Sequence, residues 1–417
     1  MNQYKIQPPE GNKNKKPTKK PNKPNYKKSV KKNKGGKVLT AGRIVLLTFL
    51  SLLLVLFLSA NIFLYVYKPP IELDEDLYED LEDEFLLFVP DEGESEGEVN
   101  PSADLSRKSD CYTLLILGVD RGSTLTDTMM IAMFDIKENA ISILNVPRDT
   151  YVSTKNYSGL VNGVYGRGRT NAARNGSVGE EIAKEGIKYL NAMLKYTFGI
   201  PIDKYVLIDL DGFRFLVDKI GGVEFDVPFR MKYTDPYQNL YIDLQPGLQT
   251  LYGKEAEQLI RFRHGDDGYG GYGRTINGVF YPSEDIGRIQ TQQRFIAAIL
   301  KKMLSKPDVN MIKTLFELGD EYMLSNMSIG NVGWFAAKLT SVKLENIRTH
   351  TVPTNWISSI GRLQAYKAET MEIINKYYNP YKNDIPDSNF NIYDKDLAGL
   401  AKPEINIDGN TLDGLVK

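Results

Sequence analysis

From residue 110 onward, short apolar runs alternate with longer stretches whose apolar residues recur at helical spacing. The runs at 112–117, 128–134, 140–146 and 205–210 are nearly continuous in Leu, Ile, Val, Met and Phe, the pattern of buried strands. Residues 135–139 join the second and third through a hairpin-sized connection. Helical periodicity covers 180–197, ending at Gly199 ahead of Pro201. Asp211 is placed to N-cap a helix over 212–220 that Gly221 terminates, and a strand resumes over 222–227. Further helices are predicted at 254–260, 284–304, 309–323, 329–341 and 363–378, with a strand at 347–352. Strands interleaved with helices argue for a layered α/β domain with the sheet between helices. After Asn379 the periodicity fades, and residues 381–417 read as a C-terminal tail.

The first hundred residues follow different rules. Residues 44–67 are 24 positions without a charge, rich in Leu, Ile, Val and Phe. As a helix they would extend roughly 36 Å, enough to cross a bilayer. Residues 1–43 hold 14 Lys/Arg and one acidic residue, Glu10, and residues 72–98 hold 14 Asp/Glu and no Lys or Arg. Basic before and acidic after predicts a single-pass anchor at the cell membrane, with a disordered cytoplasmic tail (1–43) and everything past Lys68 outside. A cleaved signal peptide is disfavoured by the long basic region and by an apolar run well beyond a signal's core, despite Ser59-Ala60. The basic tail beside a membrane suits anionic lipid rather than nucleic acid. Residues 68–109 read as an acidic, self-repelling stalk. The net charge of −1 averages these segments and decides little.

One cysteine, Cys111, excludes an internal disulfide, and two histidines, His264 and His350, exclude a multi-histidine metal centre. The remaining candidates are carboxylates and guanidiniums at the ends of the predicted elements, where α/β sites collect. Asp120 follows the first strand, Asp127 opens the second, and Arg148-Asp149 close the third. Two carboxylates facing each other across one loop suit a hard cation such as Mg2+, although either serves equally as a turn or capping residue. Arg261 and Arg263 point to one side only if the chain is extended there, so the preceding helix is expected to end near Ile260. Together they form either a planar phosphate clamp or two solvated arginines. Asp285, Arg288 and Gln292 share one helix face beside an apolar stripe of Ile286, Ile289, Ile296 and Leu300. Such a set of groups, with no conventional nucleophile, fits phosphoryl transfer by positioning and charge stabilisation.

The ordered series Leu117-Gly118-Val119-Asp120, Thr126-Asp127-Thr128-Met129, Val146-Pro147-Arg148-Asp149-Thr150, Gly221-Gly222-Val223-Glu224-Phe225-Asp226-Val227, Arg261-Phe262-Arg263-His264 and Asp285-Ile286-Gly287-Arg288-Ile289 resembles the LytR-CpsA-Psr family. The resemblance implies an α/β/α domain over 110–380 with a central mixed β-sheet sandwiched between α-helices, carried by one N-terminal transmembrane helix. It also implies a Mg2+-dependent phosphotransferase of Gram-positive envelopes, with Mn2+ as a substitute ion. Such an enzyme moves a glycopolymer (teichoic acid, capsule or another wall polymer) from undecaprenyl pyrophosphate to peptidoglycan. By the same resemblance Asp120 and Asp127 hold the metal or assist deprotonation, and Arg148, Arg261, Arg263 and Arg288 grip the pyrophosphate. Asp285 and Gln292 orient the arginines, Asp120, Asp127, Arg148 and Arg263 form the catalytic set, and Phe213, Phe215 and Leu216 are candidates to line a prenyl tunnel.

Three positions depart from the family pattern: Leu125 and Thr291 stand where arginine is usual, and Leu160 where lysine is. A Gly/Tyr-rich insertion, residues 265–283, separates Arg263 from Asp285, and is expected to form a mobile lid in which Arg274 restores a lost charge. A polyprenyl-pyrophosphate phosphatase would show the same residues. A non-catalytic polyprenyl-phosphate-binding assembly protein, suggested by the lost cationic positions, is disfavoured by the retained Asp120, Asp127, Arg148 and Arg263, since a scaffold has no need of a paired-carboxylate metal site.

Overall fold

A computed structural model describes residues 105–119, 124–154, 156–237, 239–266, 271–276, 279–281, 284–305, 317, 322–359, 361–400, 402 and 404–415. The expected cytoplasmic tail, the apolar span at 44–67, most of the acidic stalk and Asp120 lie outside the described residues. Among the described residues no helix is long and apolar enough to cross a membrane.

The described residues open with β1 (Cys111–Val119), β2 (Thr126–Asp135) and β3 (Ala140–Asn145). A small hairpin of β4 (Tyr151–Ser153) and β5 (Ser158–Leu160) leads into α1 (Val161–Arg174), and α2 (Glu180–Phe198) follows. Then come β6 (Lys204–Asp209) and α3 (Leu210–Lys219). Four strands stand in sequence: β7 (Val223–Val227), β8 (Met231–Asp235), β9 (Leu240–Leu244) and β10 (Gly247–Leu251). After α4 (Gly253–Arg261) a short hairpin, β11 (Arg274–Ile276) with β12 (Val279–Tyr281), precedes the long α5 (Glu284–Ser305). The chain ends with β13 (Met323–Ser325), α6 (Ile329–Leu339), β14 (Ile347–Thr351), β15 (Thr354–Ile357), β16 (Arg362–Ala365), α7 (Lys367–Tyr377), β17 (Asn410–Thr411) and α8 (Leu412–Leu415).

Seven strands form one sheet in the order β13-β6-β1-β2-β3-β14-β17. It is mixed: β1 runs parallel to β6 and β3 parallel to β14, while β2 is antiparallel to both β1 and β3. The run Met129–Phe134 explains why β2 is central, because alternate residues feed two different cores. Met129, Ile131 and Met133 join Val164 and Tyr165 of α1 and Ile187, Leu190 and Leu194 of α2. Met130, Ala132 and Phe134 pack with Ile141 and Ile143 of β3 and Ala297 of α5, with Phe335 and Leu339 of α6 against them. Helices therefore cover both faces, as the alternating pattern required. A third apolar cluster joins the strand pairs β7/β10 and β8/β9 to Leu259 of α4, to Phe262 just after it and to Phe295 of α5.

Several expectations are corrected. Asp209, not Asp211, caps α3: its carboxylate accepts from the Gly212 amide at 2.8 Å, because the strand runs straight into the helix without a connecting loop. The helix expected over 309–323 falls mostly outside the described residues, and its last residue, Met323, begins β13. Residues 363–366 are not helical; β16 ends at Ala365 and α7 starts at Lys367. The stretch after Asn379 is no loose tail. Ile385, Phe390 and Leu412 are fully buried, and β17 pairs with β14 at the sheet margin, so scattered apolar residues without period complete the core.

Candidate active site

The strand directions gather one set of termini. Val119 pairs with Thr126 and Asp209, and Asn145 with Met130 and Thr351, so the C-terminal ends of β1, β3, β6 and β14 meet the start of β2 at one end of the sheet. That is where open α/β sheets collect ligands. Asp127 and Arg148 stand there, and they are in contact: the Arg148 Nη1 donates to Asp127 Oδ1 at 2.5 Å. Arg148 Nε lies 3.7 Å from Asp149 Oδ2. The Arg148 backbone is fixed on several sides. Pro147 carbonyl accepts from the Thr150 amide (3.0 Å) and hydroxyl (2.7 Å), Asn162 at the start of α1 donates to the Arg148 carbonyl (3.3 Å), and Leu363 donates to that of Asp149 (3.2 Å). The loop ahead of Asp127 rests on α1, where a Cβ on Gly166 would stand 3.0 Å from the Thr124 carbonyl oxygen.

The Asp127 side chain keeps 42% of its surface exposed and presents only oxygen. Among the described residues no three His, Cys, Asp or Glu side chains converge as a metal cage. One or two carboxylates facing solvent are the donor set of Mg2+, which keeps waters and takes phosphate oxygens. Of the two expected ligands only Asp127 is among the described residues; it offers oxygen donors of that kind on a carboxylate that Arg148 already holds.

The other candidates form a second group. Helix α4 runs one residue further than expected, through Arg261, whose guanidinium turns back along the helix. Only from the fully buried Phe262 is the chain extended, so the extended Arg261–Arg263 pair expected from the sequence is not formed. Arg263 is exposed. Arg261 donates to Glu257 at 3.0 Å; the same carboxylate holds Arg214 at 2.7 Å, and Arg214 also pairs with Asp211. Two cations and two anions balance, so an incoming phosphate would compete with Glu257 for Arg261. Sequence reasoning overlooked Glu257, although Glu four residues ahead of Arg on a helix is itself a pairing signal.

In α5, Asp285 is the second residue, Arg288 is 8% exposed and Thr291 fully buried. Gln292 donates to the Ile260 carbonyl at 2.9 Å, tying α5 to the residue before Arg261. Gln293 donates to the Thr351 hydroxyl at 2.7 Å, tying it to the ligand-collecting end of the sheet. Helix α5 thus joins the two groups.

The insertion differs from an open lid. Its described part folds as the β11/β12 hairpin seated on aromatic rings: Tyr272 meets Phe229 (centroids 5.3 Å) and Phe262 (5.8 Å), and donates to the Thr291 hydroxyl at 3.1 Å. Burial pushes the Tyr272 phenol up to about 12, so it stays a neutral donor. Arg274 stacks over Phe229 at 5.6 Å. Of the candidate tunnel residues, Phe213 packs near Phe295 and Phe215 against Tyr322.

The LytR_cpsA_psr family model matches residues 90–383. Cell wall biosynthesis protein LcpA of Corynebacterium glutamicum is 27% identical over 259 residues, 58% of this chain and 45% of its own. The polyisoprenyl-teichoic acid–peptidoglycan teichoic acid transferase TagV of Bacillus subtilis is 26% identical over 240 residues, 55% of this chain and 53% of its own. The chain thus spans about half the length of these two curated relatives. A crystal structure of a Streptococcus agalactiae protein superposes with a TM-score of 0.53 at 19% identity, covering 70% of this chain and 95% of that one, which matches the fold. The chain belongs to the LytR_cpsA_psr family.

Proposed function

We propose that this protein is a phosphotransferase that moves a glycopolymer from an undecaprenyl-pyrophosphate carrier to peptidoglycan, anchored in the cell membrane by residues 44–67 with its folded portion outside. The observation that carries this is the Asp127–Arg148 contact at the end of the sheet where parallel strands deliver their termini. The name of the Bacillus subtilis relative, a teichoic acid transferase acting between a polyisoprenyl carrier and peptidoglycan, points the same way.

In this reading the acceptor's hydroxyl oxygen bonds to the phosphorus that carries the polymer. The bond from that phosphorus to the bridging oxygen breaks, prenyl phosphate leaves with the bridging oxygen, and the hydroxyl proton passes to the Asp120/Asp127 carboxylates. In the alternative role those two aspartates would instead hold Mg2+, which when bound would neutralise charge on the pyrophosphate oxygens. Arg148, held by Asp127, offers a planar fork to the phosphate, and Arg261, Arg263 and Arg288 add positive charge to the pyrophosphate's surroundings. Asp285 and Gln292 orient them. Dispersed charge rather than a covalent nucleophile is what this class of transfer needs.

The test incubates the full-length protein with a prenyl-pyrophosphate-linked oligosaccharide and peptidoglycan fragments, with and without Mg2+. Sugar phosphate appearing on peptidoglycan, dependent on Mg2+ and lost in Asp127→Asn, is the expected result. Release of free sugar phosphate without transfer would instead mark a hydrolase, and binding with no turnover an assembly protein.

A further inference from the structure

We propose that Tyr272 is a positioning residue that sets the spacing between two arginine-bearing segments, residues 261–263 and the first turns of α5, and thereby the grip on a prenyl pyrophosphate. The inference rests on the function proposed above and assigns a role to the insertion that separates those segments in sequence.

One side chain touches both. The Tyr272 ring packs against Phe262, the residue between Arg261 and Arg263, at 5.8 Å, and its hydroxyl donates to Thr291 at 3.1 Å. Thr291 lies three residues beyond Arg288, on the same face of α5. Phe262 and Thr291 are fully buried and Arg288 nearly so, so the contact sits in packed surroundings where small displacements are resisted. A second tie runs parallel to it, from Gln292 to the Ile260 carbonyl.

Local backbone geometry supports the arrangement. Gly273 adopts φ of +90°, and its amide donates to the Tyr281 carbonyl at 2.7 Å. That left-handed residue turns the chain directly after Tyr272 and starts the β11/β12 hairpin. At the other end of the insertion His264 bridges to Gly271, and its ring lies against Tyr233 at 4.9 Å. The insertion is therefore stitched down on both sides of Tyr272, and only a hydroxyl-bearing ring spans from Phe262 to Thr291. Phenylalanine would keep the ring contact and lose the tie to Thr291, leaving the Gln292–Ile260 bond as the remaining polar tie between the two segments.

The experiment titrates full-length protein in detergent micelles with geranylgeranyl pyrophosphate, and follows thermal unfolding in parallel. Tyr272→Phe should weaken binding about three- to tenfold, the scale of one lost buried hydrogen bond. The double variant Tyr272→Phe with Thr291→Val removes both polar partners, so its unfolding temperature should recover while its affinity stays low. Tyr237→Ala, at a fully exposed hairpin tip, should match the wild type in both. Recovery of affinity together with unfolding temperature in the double variant would show a merely structural tyrosine and overturn the proposal. So would wild-type affinity in Tyr272→Phe when Arg148→Ala binds weakly, with the proposed function intact. A wild-type protein that does not bind the probe would sink the function itself, and this inference with it.

Discussion

A lysine at position 148 would keep a positive charge beside Asp127 and lose the planar fork that can hold a carboxylate and a phosphate together. The Asp127–Arg148 pair is partly exposed, with 42% and 23% of the side-chain surfaces open, so its worth to stability is about 0–1 kcal/mol. Arg148→Lys is therefore expected to unfold at nearly the wild-type temperature and to lose transfer activity by about a hundredfold, the scale of a lost charge-stabilising donor. Parallel melting curves and initial rates check both halves. A large drop in melting temperature would show a structural arginine instead. The position of these residues was legible: Asp127 and Arg148 were expected at strand termini from the apolar runs on either side. The sharing of Glu257 between Arg261 and Arg214 was not, because Arg214 reaches Glu257 across 43 positions of chain.

Helix α1 shows where local pattern fails. No element is predicted there from the sequence pattern, where Gly163, Gly166 and Gly168 would each weaken a helix by about 1 kcal/mol. The reason for the glycines is close approach. A Cβ on Gly168 would stand 2.7 Å from the Glu185 carbonyl oxygen of α2, and one on Gly186 would stand 2.7 Å from the Tyr165 ring. The two helices cross with Gly168 facing Gly186, and each glycine is a packing residue. Gly186→Val should push the helices apart and destabilise the protein by about 1–3 kcal/mol, measured as a lowered urea midpoint with an unchanged slope. Gly166→Val bears on the Thr124 carbonyl ahead of Asp127, so it should cost more in turnover than in stability; equal losses in both would refute that separation. By contrast β2, buried on both faces, and α2, amphipathic and ended by Gly199 at φ +70°, were readable because burial and period agreed.

The family match ends at residue 383, yet the chain beyond it closes the core at molecular scale. Phe390 packs under α2, β17 extends the sheet, and His350 fastens the segment between them. The Ile407 carbonyl can only accept, so His350 Nε2 donates to it at 3.1 Å, and Nδ1 accepts from the Tyr378 hydroxyl at 2.8 Å. Gly409 is pressed so closely that a Cβ there would meet Nε2 at 2.5 Å. Burial lowers the His350 pKa to about 4, helped by the Arg348 guanidinium, although the Ile407 carbonyl and Asp408 oppose the shift. The neutral ring is thus the folded form. Above about pH 6.5 the imidazole is neutral folded or unfolded and its contribution is complete; between about 6.5 and 4 the unfolded chain takes up the proton first, and roughly 3 kcal/mol is lost. Asp408, which accepts from Lys376 and Tyr377, has its carboxyl held below the usual value and loses its contribution only at lower pH. Urea midpoints at about pH 7 and about pH 4.5 should therefore diverge in the wild type, and diverge less in His350→Gln, which has no proton to bind. An equal fall in both proteins would place the acid sensitivity elsewhere in the molecule.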